Sequence, residues 1–187
     1  MTSNVSNALA TKVVTGKIRG SYLNLFVPRL GQNAKPGDAP KYGMTILVPK
    51  SDITTITKIQ AAQEAAIAKM WPNKRPALVA TTFHDGDQPR ISNGEPYGDE
   101  CKGHWVIAVH SKFKPKVIGL DKNEIIDPDE VCSGDYFKAS INFYGYDVSG
   151  KRGTGASLNN VLFVEKGESL GGSSRAEDDF AADFLAA

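Results

Sequence analysis

Alternation dominates the pattern of this chain. From Lys12 to Arg19 and from Tyr42 to Val48, apolar and polar positions exchange at every second residue, as a half-buried strand requires. These stretches predict the first two strands. On the first, Val14 and Ile18 are expected to face inward and Thr15, Lys17 and Arg19 outward. On the second, Tyr42, Met44, Ile46 and Val48 share one face. Between them, Pro28 to Pro40 is rich in Gly, Pro, Gln, Asn and Lys, which predicts an exposed loop longer than a tight turn. The period then changes. Ile56, Ile59, Gln63, Ile67 and Met70 recur near helical spacing, so a helix is expected from about Asp52 to Met70, capped by Ser51 and closed at Trp71-Pro72.

Lys74 to Gly103 is crowded with turn formers, including Phe83-His84-Asp85-Gly86-Asp87 and Asn93-Gly94-Glu95-Pro96, and has room only for short strands. Strands resume over His104 to Lys112, Val117-Ile118 and Tyr136 to Val148. A last one, Leu158 to Glu165, leads to a Gly171-Gly172-Ser173-Ser174 hinge. Five or so strands with one inserted helix predict a mainly β protein built as an OB-fold-like Greek-key barrel, rather than a parallel doubly wound sheet.

Size and charge refine this picture. At 187 residues the chain can bury one substantial core, which suggests a flexible N-terminus over 1–11, a barrel domain over 12–166, and a hinge and acidic tail over 167–187. The tail carries Glu168, Glu177, Asp178, Asp179 and Asp183 against Arg175 alone, a net of −4, so the formal total of +1 leaves the body at +5. With Phe180 and Phe184 among its acids, the tail imitates a nucleic acid, negative charge interspersed with flat rings. Cys101 and Cys132 lack metal-type spacing and are expected as free thiols of a reducing compartment. No signal peptide and no apolar run of membrane-spanning length is evident, so an intracellular soluble protein is expected.

The candidate chemistry is binding. Lys17 and Arg19 lie on the first strand, followed directly by Tyr22 and Phe26. Trp105, Tyr144 and Tyr146 lie near Lys112, Lys114, Lys151 and Arg152, and Lys41 and Lys50 flank the second strand. Aromatic planes interleaved with cations suit a single strand, whose bases stack while its phosphates pair with Lys and Arg. Tyr22, Tyr144 and Tyr146 are the better stacking candidates because a phenol end prefers water or a partner, whereas Phe137, Ile141 and Phe143 are expected as core. Catalytic patterns are poor. His84, Asp85 and Asp87, or Cys101 with His104, lack a second pair of metal ligands, so neither a metal nor a cofactor is expected. Gly150-Lys151-Arg152-Gly153-Thr154-Gly155 lacks Walker spacing and reads as a hairpin turn with two cations. Two rival classes remain open. One is a structural or interaction protein whose aromatics form an oligomer interface, and the other a nuclease-like enzyme with Asp85, Asp87 and Asp99 around magnesium.

The order of motifs resembles the OB-fold single-stranded DNA-binding proteins of tailed bacteriophages, over most of the chain. Ser21-Tyr22-Leu23-Asn24-Leu25-Phe26 with Pro28 is similar to that family's opening aromatic strand, and Lys41-Tyr42-Gly43 leading to Leu47-Val48-Pro49-Lys50-Ser51-Asp52 to its second strand and helix cap. Asp85-Gly86-Asp87, Gly103-His104-Trp105 and Ser111-Lys112 with Pro115 follow in order. The closing segment is the most specific: Ser133-Gly134-Asp135-Tyr136, Asn142-Phe143-Tyr144-Gly145-Tyr146-Asp147 and Gly153-Thr154-Gly155-Ala156-Ser157-Leu158-Asn159-Asn160-Val161. The hinge and tail also resemble those of short-tailed coliphage single-strand-binding proteins, although here Phe184 is followed by Leu185-Ala186-Ala187. The resemblance implies a non-enzymatic protein that coats single-stranded DNA in phage replication, recombination and repair, in the cytoplasm of an infected bacterial host. It implies that Asp178, Asp179, Phe180, Asp183 and Phe184 recruit a polymerase or helicase-primase. Weaker affinity for duplex DNA and a homodimer are compatible with it.

Overall fold

The computed structural model of the chain describes residues 10–171. Its strands are β1 (Lys12–Val14), β2 (Ile18–Arg29), β3 (Lys41–Pro49), β4 (Phe83–Asp85), β5 (His104–Ser111), β6 (Lys116–Ile118), β7 (Tyr136–Val148) and β8 (Lys151–Glu165), with the helix α1 (Ile53–Met70) between β3 and β4. Strand order is β1-β7-β2-β3-β5-β8-β6, β4 pairs with β5, and a β7–β8 ladder joins the two sides. The ring β2-β3-β5-β8-β7 is thereby closed, with β5 and β8 parallel and its other pairs antiparallel. This is the connectivity of an OB barrel, as the alternation predicts.

Closure gives every ring strand an inside. Ile18, Leu25, Met44, Ile46, Val48, Ile107, Val109, Phe137, Ile141, Phe143 and Leu158 fill it, all buried. The helix seals the barrel by burying Thr55, Ile56, Ile59, Ala62, Ala66 and Ile67, packed mainly on β7. Its cap is Asp52 rather than Ser51, because the Asp52 carboxylate accepts the Thr55 N–H at 3.0 Å. Met70, expected on the apolar stripe, is exposed at the last turn.

Three other expectations change. The first strand is two: the chain bends between Val14 and Ile18, and the facing of Val14 and Thr15 inverts. Val14 is exposed, while Thr15 is buried with its hydroxyl accepting the Ala139 N–H at 2.9 Å. A buried hydroxyl with that partner is tolerated where an unpaired one would not be. Pro28 lies within β2, so the long loop spans only 30–40. The last strand begins at Lys151, seven residues before the expected Leu158, so Gly153 and Gly155 belong to a ladder with β7. The tight turn itself is at Ser149 and Gly150, both with positive φ, 52° and 79°.

Candidate nucleic-acid interface

The outer face of β3 and β5 follows from the same alternation that fills the core. With Met44, Ile46, Ile107 and Val109 inside, Thr45, Ala108 and His110 point outward, and Thr45 lies directly opposite Ala108. Three adjoining depressions run over this face. The first is lined by Tyr22, Thr45, Thr82, His84, Arg90, Tyr97 and Ala108. Thr82, His84 and Ala108 continue into the second, with His110, Tyr144, Tyr146 and Gly155. His110 continues into the third, with Asn24, Arg29, Lys41 and the 30–34 part of the long loop. Shared residues make them one trough across the second and third strands of the ring, bounded by the first-to-second-strand loop and by the β7–β8 hairpin. That is the surface an OB fold offers to oligonucleotides.

Tyr22 marks one end. Ser21 pairs with Thr45 but Asn24 pairs with Gly43, so β2 carries one residue too many and bulges. Tyr22 sits in that bulge at φ 49° and is 66% exposed. A bulky residue in the left-handed region is a strained outlier, and such strain collects at functional sites. Tyr144 and Tyr146 line the middle depression, directly opposite Gly155 and Gly153 on β8, and Arg29 and Lys41 with the long loop mark the other end. Burial raises the Tyr144 phenol above its ordinary pKa and lowers those of His84 and His110, with Lys41 adding to the effect at His110. The Arg90 guanidinium lies 4.7 Å from the centre of the Tyr97 ring, in the trough wall.

The sequence-predicted residues divide. Tyr22, Lys41, Tyr144 and Tyr146 line the trough. Lys112 and Lys114 are exposed just beyond β5 and flank Phe113, which is 82% exposed. Lys151 is exposed at the hairpin, while Arg152 pairs with Asp147 at 2.8 Å. Others are held by the protein itself. Lys17 pairs with Glu165 at 2.7 Å, and Arg19 donates to the carbonyls of Gly134 at 3.1 Å and Glu168 at 2.8 Å. Lys50 lies 2.6 Å from both Asp85 and Asp87, which raises its pKa and lowers theirs. Trp105 is half-buried and stacked on Phe83, ring centres 4.5 Å apart, and Phe26 packs on the core beneath Lys114. The tail residues Asp178, Asp179, Phe180, Asp183 and Phe184 lie outside the described residues.

Arg29, Arg90 and Tyr97, together with Thr45 and Ala108, are trough residues that the sequence reading did not select. Extending the alternation of β3 to its outward side would have found Thr45; nothing local marks Arg90, which lies in a turn-rich passage. The carboxylates considered for magnesium are engaged by cations, Asp85 and Asp87 by Lys50 and Asp99 by Lys102 at 2.7 Å. Among the described residues no group of three or more His, Cys, Asp or Glu could hold a metal ion. Cys101 is a buried thiol, and burial pushes its pKa up to about 11. No helix among the described residues is long and apolar enough to cross a membrane.

A closed ring with this connectivity, carrying an aromatic and cationic trough on its second and third strands, defines an OB-fold protein of the nucleic-acid-binding kind. Residues 11–186 match the family described as Enterobacter phage Enc34, ssDNA-binding protein. The chain belongs to that family, one of binding proteins rather than enzymes, in agreement with the resemblance carried by its motifs. The solved structure of the single-stranded DNA-binding protein from bacteriophage Enc34 in complex with ssDNA is 25% identical, with a TM-score of 0.69, covering 86% of this chain and 90% of that one. Protein p50 of Acyrthosiphon pisum secondary endosymbiont phage 1 is 29% identical over 167 residues, 86% of this chain and 87% of that protein. The fold is also that of gp2.5, a single-stranded DNA binding protein encoded by bacteriophage T7, at 15% identity and a TM-score of 0.57, covering 92% and 93% of the two chains.

Proposed function

We propose that this protein binds single-stranded DNA in the trough, with little sequence preference, and coats it during phage replication, recombination and repair. The observation that carries this reading is the continuity of the trough, with Tyr22 at one end, Tyr144 and Tyr146 in the middle and Arg29 and Lys41 at the other end. Bases stack on these rings while Arg29, Lys41, Arg90, Lys112, Lys114 and Lys151 meet phosphates. The Enc34 relative solved with ssDNA supports the assignment. Lys17, Arg19, Lys50 and Arg152 contribute mainly through the positive field of the body, since internal acceptors already hold them. Phe26 and Trp105 support the barrel wall. Duplex DNA is taken more weakly, and a homodimer is compatible with the reading.

The acidic tail, tethered at high effective concentration, competes with weakly bound DNA and is released by a long strand to recruit a polymerase or helicase-primase in the host cytoplasm. Titration of a labelled oligonucleotide at several salt concentrations tests the core of the proposal. Affinity that falls steeply with salt is expected, and no binding at low salt would leave the structural-protein reading in its place. Deleting Gly171 to Ala187 is expected to tighten binding at low salt; unchanged affinity would remove the competition.

A further inference from the structure

Tyr144 and Tyr146 are two residues apart on β7, so both point to the same face, roughly 7 Å apart along the strand. Their direct partners on β8 are glycines: Gly155 opposite Tyr144 and Gly153 opposite Tyr146. A β-carbon on Gly155 would lie 2.5 Å from Tyr144 Cζ, 2.6 Å from its Oη and 2.8 Å from Cε2. One on Gly153 would lie 2.5 Å from Tyr146 Oη and 2.6 Å from its Cζ. These are the far ends of the rings, so each tyrosine leans across onto the neighbouring strand and covers bare backbone. A ring seated that way lies over β8 while lining the trough. A methyl group there would push the end of the ring off this seat and disturb the platform it offers a base.

Resting on the reading of the trough as a single-strand site, we propose that Gly153 and Gly155 are positioning residues for that binding: their missing side chains seat Tyr146 and Tyr144 flat at a fixed spacing, ready for successive bases. The Gly-x-Gly of β8 is then neither a phosphate loop nor a turn. The cost of ordering two rotamers is met when the protein folds, not when it binds, and so strengthens binding. Gly155 is the cleaner of the two, because all three atoms nearest its β-carbon belong to Tyr144, whereas at Gly153 the Ala80 carbonyl oxygen is also 3.0 Å away.

A double-mutant cycle on the full chain tests this, read by anisotropy of a labelled oligo-dT and by thermal melting. Gly155→Ala is expected to weaken binding by roughly 5-fold or more, within the range that losing one stacked base corresponds to, with the salt slope unchanged. In a Tyr144→Ala background the same substitution is expected to change affinity less than twofold. An equal loss in both backgrounds, or no loss in the parent protein, overturns the proposal. Photocrosslinking of 5-bromodeoxyuridine oligonucleotide to the unmutated protein serves if Gly155→Ala fails to fold. Crosslinks on Tyr144 or Tyr146 are expected, and crosslinks confined to other residues overturn it. Absence of any DNA binding by the parent protein is a separate outcome, which removes the single-strand reading itself and the proposal with it.

Discussion

The two ends of β2 carry cations in opposite circumstances. At the end near Lys17 and Arg19, the charges are consumed by the fold: one pairs with Glu165, the other ties the Gly134 and Glu168 carbonyls and so holds residues 167–170 against the loop before β7. At the other end, Arg29 and Lys41 face the trough and have no ion pair among the described residues. The same contrast holds for rings. Trp105 spends a face on Phe83, whereas Tyr22 is mostly exposed. On the proposed reading, what makes a cation or an aromatic ring available to DNA is less its presence near a strand than whether the protein has already used it.

Substitutions at the two ends should separate these roles. Replacing Tyr144 and Tyr146 together by alanine should weaken single-strand binding most, by about 1–3 kcal/mol per base that loses its platform, measured by anisotropy at fixed salt. Lys41→Ala with Lys112→Ala should lower affinity less and flatten its dependence on salt, by about 0.7 in the log–log slope for each phosphate left without its lysine. A slope that stays put would move those lysines out of the interface.

Acidification should act on the trough through His84 and His110. Burial lowers both below the ordinary 6.5, so both are neutral at pH 7 and gain charge only as pH falls through their depressed values. DNA affinity should then rise with acidity, and the rise should shrink in His110→Gln. Stability moves the other way. A histidine whose folded pKa is lowered binds its proton more readily when unfolded, so its contribution is present above about 6.5 and is lost as pH drops below that value. Melting midpoints across pH 5 to 8 would check the sign.

At the consumed end the effects should be structural. Arg19→Ala should cost about 1–3 kcal/mol of stability through the lost charge-assisted hydrogen bonds, with the affinity of the folded protein within twofold of the parent. Lys17→Ala should leave melting unchanged, since its ion pair is solvent-exposed on both sides, and should lower affinity less than twofold through the lost unit of positive field. A large loss of DNA affinity in either variant would erase the contrast between the ends.

Much of the barrel was legible because its strands carry their own signal. Met44, Ile46 and Val48 alternate, and the Tyr136–Val148 strand appears with the bounds expected for it. The break after Val14 was not legible, because a three-residue strand followed by a bend looks like one longer alternation until Thr15 finds its partner on β7. Nor could local pattern distinguish Lys50, held between Asp85 and Asp87, from Lys41, since the acids lie more than thirty residues away in the chain.

Periodicity, turn residues and motif order are properties of neighbouring residues, and they sufficed to predict a mainly β barrel with a helix inserted in it and to single out Tyr22, Tyr144 and Tyr146, which line the trough. Which face of the barrel becomes a trough, which cations remain available and why two glycines lie beneath two tyrosines were decided by pairing across the closed ring. Those pairings bring together residues far apart in sequence, and the energy of a charge or an aromatic ring depends on what it meets there, not on the residues beside it in the chain.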